Sequence, residues 1–485
     1  MAASGPGNGG QARPPSEPNH CGRRAAAWLL AVTLVVTLPV RAGVLLVPGA
    51  FQTDPDGYRV LAWNLLEHGT LGRGAIPTAY RPPLYPLLLT PALALGPLER
   101  AGIGILHLAL GLATVGITYR LAGRWGLGRR GALAAALLAA CDPLLLAGSA
   151  LVMTETLAAL LAVASLACLT AASERPSPRR AAAAGAAMAL AVLCRPTFLP
   201  WTFLAAIFLP WLAARTRAAT PVRAALGVAA SFAAAAALVL APWALRNQLQ
   251  FGRPIVTTTH GGYTLLLGNN PYFYEHLRSA PWGSVWLADK LQDDLARRAP
   301  RNTPAGELAA DRAAYDLAWE TIRGEPATFA YSCAVRVGRL WSPLPHQLSP
   351  DEGLRNRSAR YGVGLWYAME LPLALLGLAV LWRGASRWKE ADQADSTGEN
   401  GETSQEAFAP PVPDRPRWQA ARRAGAGVMS GRIGALWIAI LAASVTAVHT
   451  VYWADMRMRT PLMPALALAA SAGLGWVVSL SRRRK

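Results

Sequence analysis

Runs of apolar residues, separated by short polar or basic segments, dominate the chain from residue 25 onward. We find ten runs that approach the roughly 20 residues an α-helix needs to cross about 30 Å of hydrocarbon. This pattern predicts an all-α polytopic membrane protein with about ten transmembrane helices. The runs lie at residues 25–47, 101–122, 131–149, 153–172, 181–196, 198–214, 224–244, 361–382, 433–453 and 461–480.

Two segments between these runs are neither spans nor short turns. The stretch RPPLYPLLLTPALALGPLER (81–100) is apolar, but it is short and interrupted by prolines. We interpret it as a juxtamembrane helix that lies along or dips into the outer leaflet without crossing the bilayer. The loop 245–360 has about 115 residues, which is long enough for a mixed α/β or mainly helical external loop subdomain.

Local patterns within the large loop predict individual elements. Apolar residues recur at spacings of three and four in SVWLADKLQDDLARRA (284–299) and AGELAADRAAYDLAWETIRG (305–324), which is typical of amphipathic helices. The segment THGGYTLLLGNNPYFY (259–274) places two strong turn signals around an apolar stub. The stub is compatible with one strand.

Polar segments complete the domain organisation. The tail 1–24 and the linker 383–432 contain few large aliphatic residues, so we predict a disordered tail and a partly disordered linker. The first apolar run is too long for a signal-peptide core and lacks a small-residue cleavage site, so we expect a retained span. The remaining units are an N-terminal transmembrane module at 25–244 with a first external loop at 48–100, a single helix at 361–382, C-terminal helices at 433–480 and a basic tail at 481–485.

Basic residues lie mostly in alternate short segments between the apolar runs. The positive-inside rule assigns these segments, the linker and both termini to the cytoplasm. It accounts for the formal net charge of +19, so the charge does not indicate a nucleic-acid partner, and membrane lipids are the expected surroundings. We expect a multi-pass protein of the plasma (inner) membrane whose first loop, large loop and WADMRMRT turn face the external or periplasmic side. The five cysteines and seven histidines show no spacing typical of a disulfide framework or a metal site.

Ionisable residues collect at the predicted outer ends of the spans. A charge at such a boundary costs less than the roughly 2.5–3.5 kcal/mol assigned to the centre of a transmembrane helix. If helix packing brings these residues together, they form a polar cavity that opens to the outer leaflet. The residues are Asp54, Asp56, Arg81, Glu155, Arg195, Arg246, Arg457 and Arg459.

The acidic residues have both structural and catalytic interpretations. Asp54 and Asp56 lie two residues apart and share a face of an extended segment. Asp56 can cap the helix that follows while Asp54 faces the cavity, where a carboxylate can act as a general base on a hydroxyl group. Glu155 either belongs to the same site or complements the dipole of its own helix. Asp142 precedes a proline, and we interpret it as a structural kink or a supporting residue.

The arginines suit a phosphate because a guanidinium group binds phosphate through two parallel hydrogen bonds. Two prolines follow Arg81 and stiffen its backbone. Arg457 and Arg459 lie two residues apart in the turn between the last two spans, and Arg246 ends the seventh span. The alternative for each arginine is a side chain that reaches the lipid headgroups.

Taken in order, several segments of this chain resemble the GT-C membrane glycosyltransferases. They are DPDGYRVLAWNLLEHGTL, YRPPLYPLLL, YRLAGRWGLGRRGALAAALLAACDPLLLAGSALVMTETL, CRPTFL, APWALRNQLQFGRPIVTTTHGGYTLLLGNNP and MRMRTPLMPAL. The resemblance extends from about residue 25 to 275, with a further patch near 455–465. It is strongest to the branch that contains the protein O-mannosyltransferases and the aminoarabinose transferase of lipid A.

The resemblance implies transfer of a sugar from a polyprenyl-phosphate carrier to a lipid, glycan or protein acceptor on the non-cytoplasmic side, with inversion. It implies Asp54 as the catalytic acidic residue of the first loop, although Pro55 stands where the family has glutamate and Asp56 is the alternative. It also implies catalytic Glu155, and Met458 stands where the closing motif usually has an aromatic residue. The expected donor-phosphate ligands are Arg81, Arg246, Arg457 and Arg459, and the expected cavity residues are Tyr58, Tyr80, Tyr85 and Arg195.

Two other classes of protein remain open on the sequence alone. A transporter or flippase of a lipid-linked or anionic substrate would use the same cationic cavity without forming a bond. We find no internal repeat of the kind that transporters usually show. A membrane scaffold whose loop binds a partner would leave the clustered acids and arginines unexplained. No cofactor is predicted, and the sequence carries no argument for a divalent metal.

Overall fold

The computed structural model describes most of the chain and consists almost entirely of helices. The predicted tail 1–24 and most of the predicted linker lie outside the described residues. The described residues are 31, 34–35, 37–216, 220–281, 284–298, 302–347, 351–384 and 417–483.

Short connections join the helices in most of the chain. A two-stranded antiparallel hairpin of β1 (Gly72–Arg73) and β2 (Ile76–Pro77) lies in the first loop. The 3-10 turns are Gly96–Leu98, Pro196–Phe198 and Met456–Leu462. The helices are α1 (37–45), α2 (Tyr58–His68), α3 (Leu84–Leu93), α4 (Glu99–Arg124), α5 (Gly128–Cys141), α6 (Pro143–Ser149), α7 (Glu155–Glu174), α8 (Pro178–Cys194), α9 (Leu199–Thr216), α10 (Pro221–Phe251), α11 (Gly261–Gly268), α12 (Pro271–Ser279), α13 (Asp289–Arg298), α14 (Pro304–Gly324), α15 (Pro326–Trp341), α16 (Leu354–Arg383), α17 (Arg417–Val451) and α18 (Met463–Arg483).

Seven helical stretches among the described residues are long and apolar enough to cross a membrane, and an eighth is obtained if α5 and α6 cross together. The protein is therefore a multi-pass membrane protein. The other two predicted spans are α8, which has 17 residues and is at the short limit for a span, and the first, which lies partly outside the described residues. The count of ten stays a prediction.

The break between α5 and α6 has a local cause. The two helices are bent by 47° at Asp142 and Pro143, where the proline cannot continue the hydrogen bonds of α5. One oxygen of the Asp142 carboxylate accepts from the Leu145 N–H at 2.8 Å and caps α6, and the other accepts from the Tyr367 hydroxyl at 3.0 Å. The predicted kink at Asp142 is confirmed.

The described residues of the large loop form helices joined by short irregular segments. The two predicted amphipathic helices correspond to α13 and α14, whereas the stub interpreted as a possible strand is helix α11. The 10-residue α3 is apolar and too short to cross the bilayer, as predicted for the juxtamembrane segment. Residues 417–432, which fall within the predicted linker, form the first part of α17 instead.

The centre of the bundle depends on a close contact between α16 and α18. A Cβ atom placed on Gly377 would lie 1.7 Å from the Ala469 carbonyl oxygen, and one on Gly473 would lie 2.2 Å from that of Leu373. Only glycine allows these two backbones to touch, which is a common device for packing helices in membranes. The stretch that contains α18 is the most buried of the candidate spans, so the contact lies deep in the protein.

Replacing Gly377 with alanine should weaken this pairing. The added methyl group would overlap the Ala469 carbonyl, and overpacking of this kind typically costs about 1–3 kcal/mol. We expect a lower Tm for Gly377→Ala in detergent. Gly362→Ala in the same helix is the matched control, because a Cβ there meets nothing within 4 Å. Equal Tm values for the two variants would contradict the importance of the contact.

Candidate active site

Asp54 holds the start of α2. Its two carboxylate oxygens accept from the backbone N–H groups of Tyr58 and Arg59, each at 2.9 Å. Gly57, with φ at 72°, lets the chain turn into the helix. The expected cap assignment is therefore wrong, because Asp54 and not Asp56 caps the helix. Burial raises the pKa of the Asp54 carboxyl, and the two N–H groups and the charge of Arg59 oppose that rise.

Asp56 is paired with Arg81. The Arg81 guanidinium donates to the Asp56 carboxylate at 2.9 Å and to its backbone carbonyl at 3.1 Å. A third nitrogen of Arg81 lies 3.0 Å from Nε2 of His260. Since a guanidinium only donates, Nε2 accepts and the ring proton resides on Nδ1. The guanidinium also lies over the rings of Tyr80 and Tyr58, at 5.2 and 5.9 Å from their centroids.

A buried glutamate of α14 fixes the loops that carry Arg81 and His260. The Glu307 carboxylate accepts from the Thr78 hydroxyl, the Ala79 N–H and the Thr259 hydroxyl. The Thr259 N–H in turn donates to the Ala79 carbonyl at 3.0 Å. We call this set of contacts around Glu307 the Glu307 clasp. It joins the first loop, the segment before α11 and α14, and so sets the position of the Arg81–His260 contact.

Glu155 forms a second charged centre. Its side chain is fully buried at the start of α7, with one oxygen 3.2 Å from Arg195 and 3.4 Å from Arg457. Its other oxygen, Oε2, has no hydrogen-bond partner among the described residues. Arg195 lies between α8 and the turn before α9, and Arg457 lies in the turn before α18. The carboxylate thus joins the ends of three separate parts of the bundle.

Two tyrosines link the charged centres. The rings of Tyr58 and Tyr85 pack edge to face, with centroids 5.3 Å apart. The charges of Asp56, Arg81 and Arg195 act electrostatically on the hydroxyl group of Tyr58. Those of Glu155 and Asp54 act on the hydroxyl group of Tyr85. Burial raises the pKa of both phenols, so both stay protonated.

Arg246 and Arg459 direct hydrogen bonds at backbone carbonyls. Arg246 donates to the carbonyls of Leu71 and Thr78 at 2.8 and 2.9 Å. Arg459 is fully buried, donates to the Leu340 carbonyl at 2.9 Å and lies over the ring of Tyr367. Of the four predicted phosphate ligands, Arg81 and Arg457 therefore lie beside the site carboxylates, while the other two brace loops.

His260 and Glu307 are site residues that the sequence did not predict. One signal was present for His260, since it precedes Gly261 and Gly262. A Cβ on either glycine would lie 2.1 Å from an atom of α14, so the pair allows the chain beside His260 to contact that helix. Glu307 carried no such signal, because an acid in the first turn of an amphipathic helix looks like an ordinary surface residue.

These contacts bring most of the predicted site residues together at one end of the bundle. Three carboxylates and two guanidinium groups act electrostatically on the Tyr58–Tyr85 pair, and a third guanidinium group adjoins one of these carboxylates. A carboxylate of this kind can accept a proton, and fixed guanidinium groups can stabilise an anion that develops nearby. The arrangement suits a group transfer in which a phosphate departs. The six charged residues are Asp54, Asp56, Glu155, Arg81, Arg195 and Arg457.

About a third of the chain is similar to one known protein family. Residues 80–243 match the model of a family described as dolichyl-phosphate-mannose-protein mannosyltransferase, which confirms the predicted family resemblance. No curated protein matches the chain.

Solved structures similar to the chain include two of ArnT from Cupriavidus metallidurans. The apo form has 16% identity and a TM-score of 0.36, and the form bound to undecaprenyl phosphate has 16% identity and a TM-score of 0.33. Each match covers 94% of this chain and 79% of ArnT. Arabinosyltransferase EmbB from Mycobacterium smegmatis has 14% identity and a TM-score of 0.35, over 90% of this chain and 42% of EmbB.

Removing the Glu155 carboxylate should be costly. Glu155→Ala would leave two guanidinium groups close together without their shared partner, and breaking a buried pair costs about 3–5 kcal/mol. We expect a large fall in Tm in detergent. The control is Glu174→Ala, which breaks a more exposed pair with Arg124 and should cost less than about 1 kcal/mol. Similar losses in both variants would contradict a special role for Glu155.

Proposed function

Because the chain carries a protein O-mannosyltransferase family match over residues 80–243, we propose that it is a membrane glycosyltransferase. It moves a sugar from a polyprenyl-phosphate donor to a hydroxyl group of a lipid, glycan or protein on the non-cytoplasmic face. The observation that carries the proposal is the contact of catalytic-type carboxylates with arginines around Tyr58 and Tyr85.

In this proposal the donor phosphate binds between Arg81 and Arg457. The Arg457 side chain is 33% exposed, compared with 16% for Arg81 and 13% for Arg195. Arg457 is therefore the most accessible guanidinium of the three. Arg81 is held rigidly by Asp56 and His260, so it can bind the phosphate with little loss of side-chain entropy. Tyr80 packs against His260 and under the Arg81 guanidinium, so it lies beside the proposed phosphate position.

Asp54 is the general base in this proposal because Asp56 is already committed to Arg81. Each Asp54 oxygen accepts one backbone N–H and keeps a further lone pair for an acceptor hydroxyl. The proton of that hydroxyl passes to Asp54 while its oxygen attacks the anomeric carbon. The bond between this carbon and the phosphate oxygen breaks, and the arginines stabilise the departing polyprenyl phosphate. Attack opposite to the leaving group inverts the anomeric configuration.

Asp54→Asn should abolish transfer while the protein still binds its donor. Loss of a general base typically lowers rates by about 10²–10⁴, and an asparagine still offers one oxygen to cap α2. The measurement is movement of radiolabel from polyprenyl-phosphate sugars to acceptors in a membrane extract. Asp316→Asn, on an exposed position of α14, is the matched control. Near-normal turnover by Asp54→Asn would move the base to Asp56 or Glu155, and wild-type binding without any transfer would favour the transporter.

The pH dependence of transfer provides a second test of the base. Since burial raises the pKa of Asp54, activity should disappear as the pH falls through a value above the usual ~3.9 of aspartate. The positive charge of Arg59 opposes that rise. Arg59→Met should therefore move the acid limb to higher pH, whereas Arg59→Lys should leave it nearly unchanged. An identical acid limb in wild type and Arg59→Met would exclude Asp54 as the titrating base.

A further inference from the structure

A pocket lies in the large loop, outside the site described above. It is formed by α12, the residues that follow α12, α15 and His346, and it opens to solvent, with an empty volume of about 370 Å³ that includes the solvent-filled mouth. Its polar lining residues are His276, Ser284, Tyr331, Arg339 and His346. Among the described residues, the lining contains one permanent cation and several hydrogen-bond donors but no carboxylate. The lining therefore favours an anion over a cation.

Arg339 is the centre of this pocket. Its guanidinium lies 5.5 Å from the ring centroid of Phe273 and 5.9 Å from that of Trp453. These rings support its position, yet within the described chain it forms no hydrogen bond and no ion pair. The nearby Asp455 carboxylate stabilises the positive charge of Arg339 electrostatically, without a direct contact. Asp455 therefore compensates this charge only from a distance, and a bound anion that touches the guanidinium would offset more of the cost of its partial burial.

The two histidines add donors around Arg339. Nε2 of His276 lies 3.2 Å from the Ser284 hydroxyl. Nε2 of His346 is buried and has no hydrogen-bond partner among the described residues. Burial and the charge of Arg339 lower the pKa of both histidines, so both are neutral at pH 7 and each retains one N–H group. The charge of Asp455 raises the pKa of His346, and that of Arg360 lowers it.

The pocket adjoins the turn that leads to the candidate active site. Helix α15 is fixed to the end of α17, where Arg336 donates to the Thr450 carbonyl at 2.8 Å and Trp341 donates to the Thr446 hydroxyl at 3.0 Å. The charge of Asp455 interacts electrostatically with Arg339 in the pocket and with His449. The charge of Arg195, in the Glu155 centre, also interacts with His449. A single turn thus borders both the pocket and the Glu155 centre.

We propose that this pocket is a binding site for a phosphate or carboxylate group, with Arg339 as the charged ligand and His276, His346, Ser284 and Tyr331 as further hydrogen-bonding groups. The site is separate from the proposed donor-phosphate site at Arg81 and Arg457. It does not depend on the proposed transfer reaction, so failure of one proposal does not overturn the other.

Titration of the purified full chain with inorganic phosphate tests the proposal. We expect saturable binding by calorimetry in wild type. A hydrogen bond to a charged group is worth about 1.5–3 kcal/mol, so Arg339→Gln should weaken binding by roughly tenfold or more. His346→Leu should weaken binding to a smaller extent and provides a second variant if Arg339→Gln does not fold. Arg323→Gln, at an exposed position of α14, is the matched control and should bind like wild type.

The source of the anion is distinguished by reconstitution into nanodiscs. Weaker phosphate binding in discs with phosphatidylglycerol than in discs with phosphatidylcholine alone would support the site and identify a lipid headgroup as its occupant. Equal binding in both would support a site for an anion that is not a membrane lipid. Absence of saturable binding up to ~10 mM phosphate, or unchanged binding in both Arg339→Gln and His346→Leu, would overturn the proposal.

Discussion

The buried carboxylate of Glu155 determines where three parts of the bundle meet. A lone carboxylate in this position would carry a large desolvation cost, and two guanidinium groups at this distance would repel each other without it. Each charge therefore requires the others, and α7, α8 and the turn before α18 must end at the same point. The Tyr58–Tyr85 pair interacts electrostatically with Glu155 and Arg195 on one side and with the Asp56–Arg81 pair on the other.

The sequence predicts which residues gather but not which partners they choose. Charges avoid the hydrocarbon, so acids and arginines at the ends of spans must meet at a membrane boundary. Their pairing depends on distances of a few ångströms that no spacing rule provides. Asp54 and Asp56 are two residues apart and chemically identical, yet one caps a helix and the other binds Arg81. Arg246 and Arg459 show the same limit, because their carbonyl partners are distant in sequence.

Errors in the predicted elements have a similar origin. The residues TLLLG are a short apolar run, and such a run is compatible with either a strand or a buried helix. In the structure it is a helix, and Gly261 and Gly262 at its start allow close contact with α14. The start of α17 was missed because the polar composition before residue 433 resembles a linker. In contrast, the break at Asp142 was predictable, since proline acts locally whatever surrounds it.

The Glu307 clasp has a consequence for how this chain can be divided into exchangeable parts. Its donors come from the first loop and from the segment before α11, while its acceptor comes from α14. A chimera that received the large loop of a relative would keep these contacts only if residues 78–79 came with it. The first loop and the large loop must therefore be exchanged together, although about 180 residues separate Thr78 from Thr259.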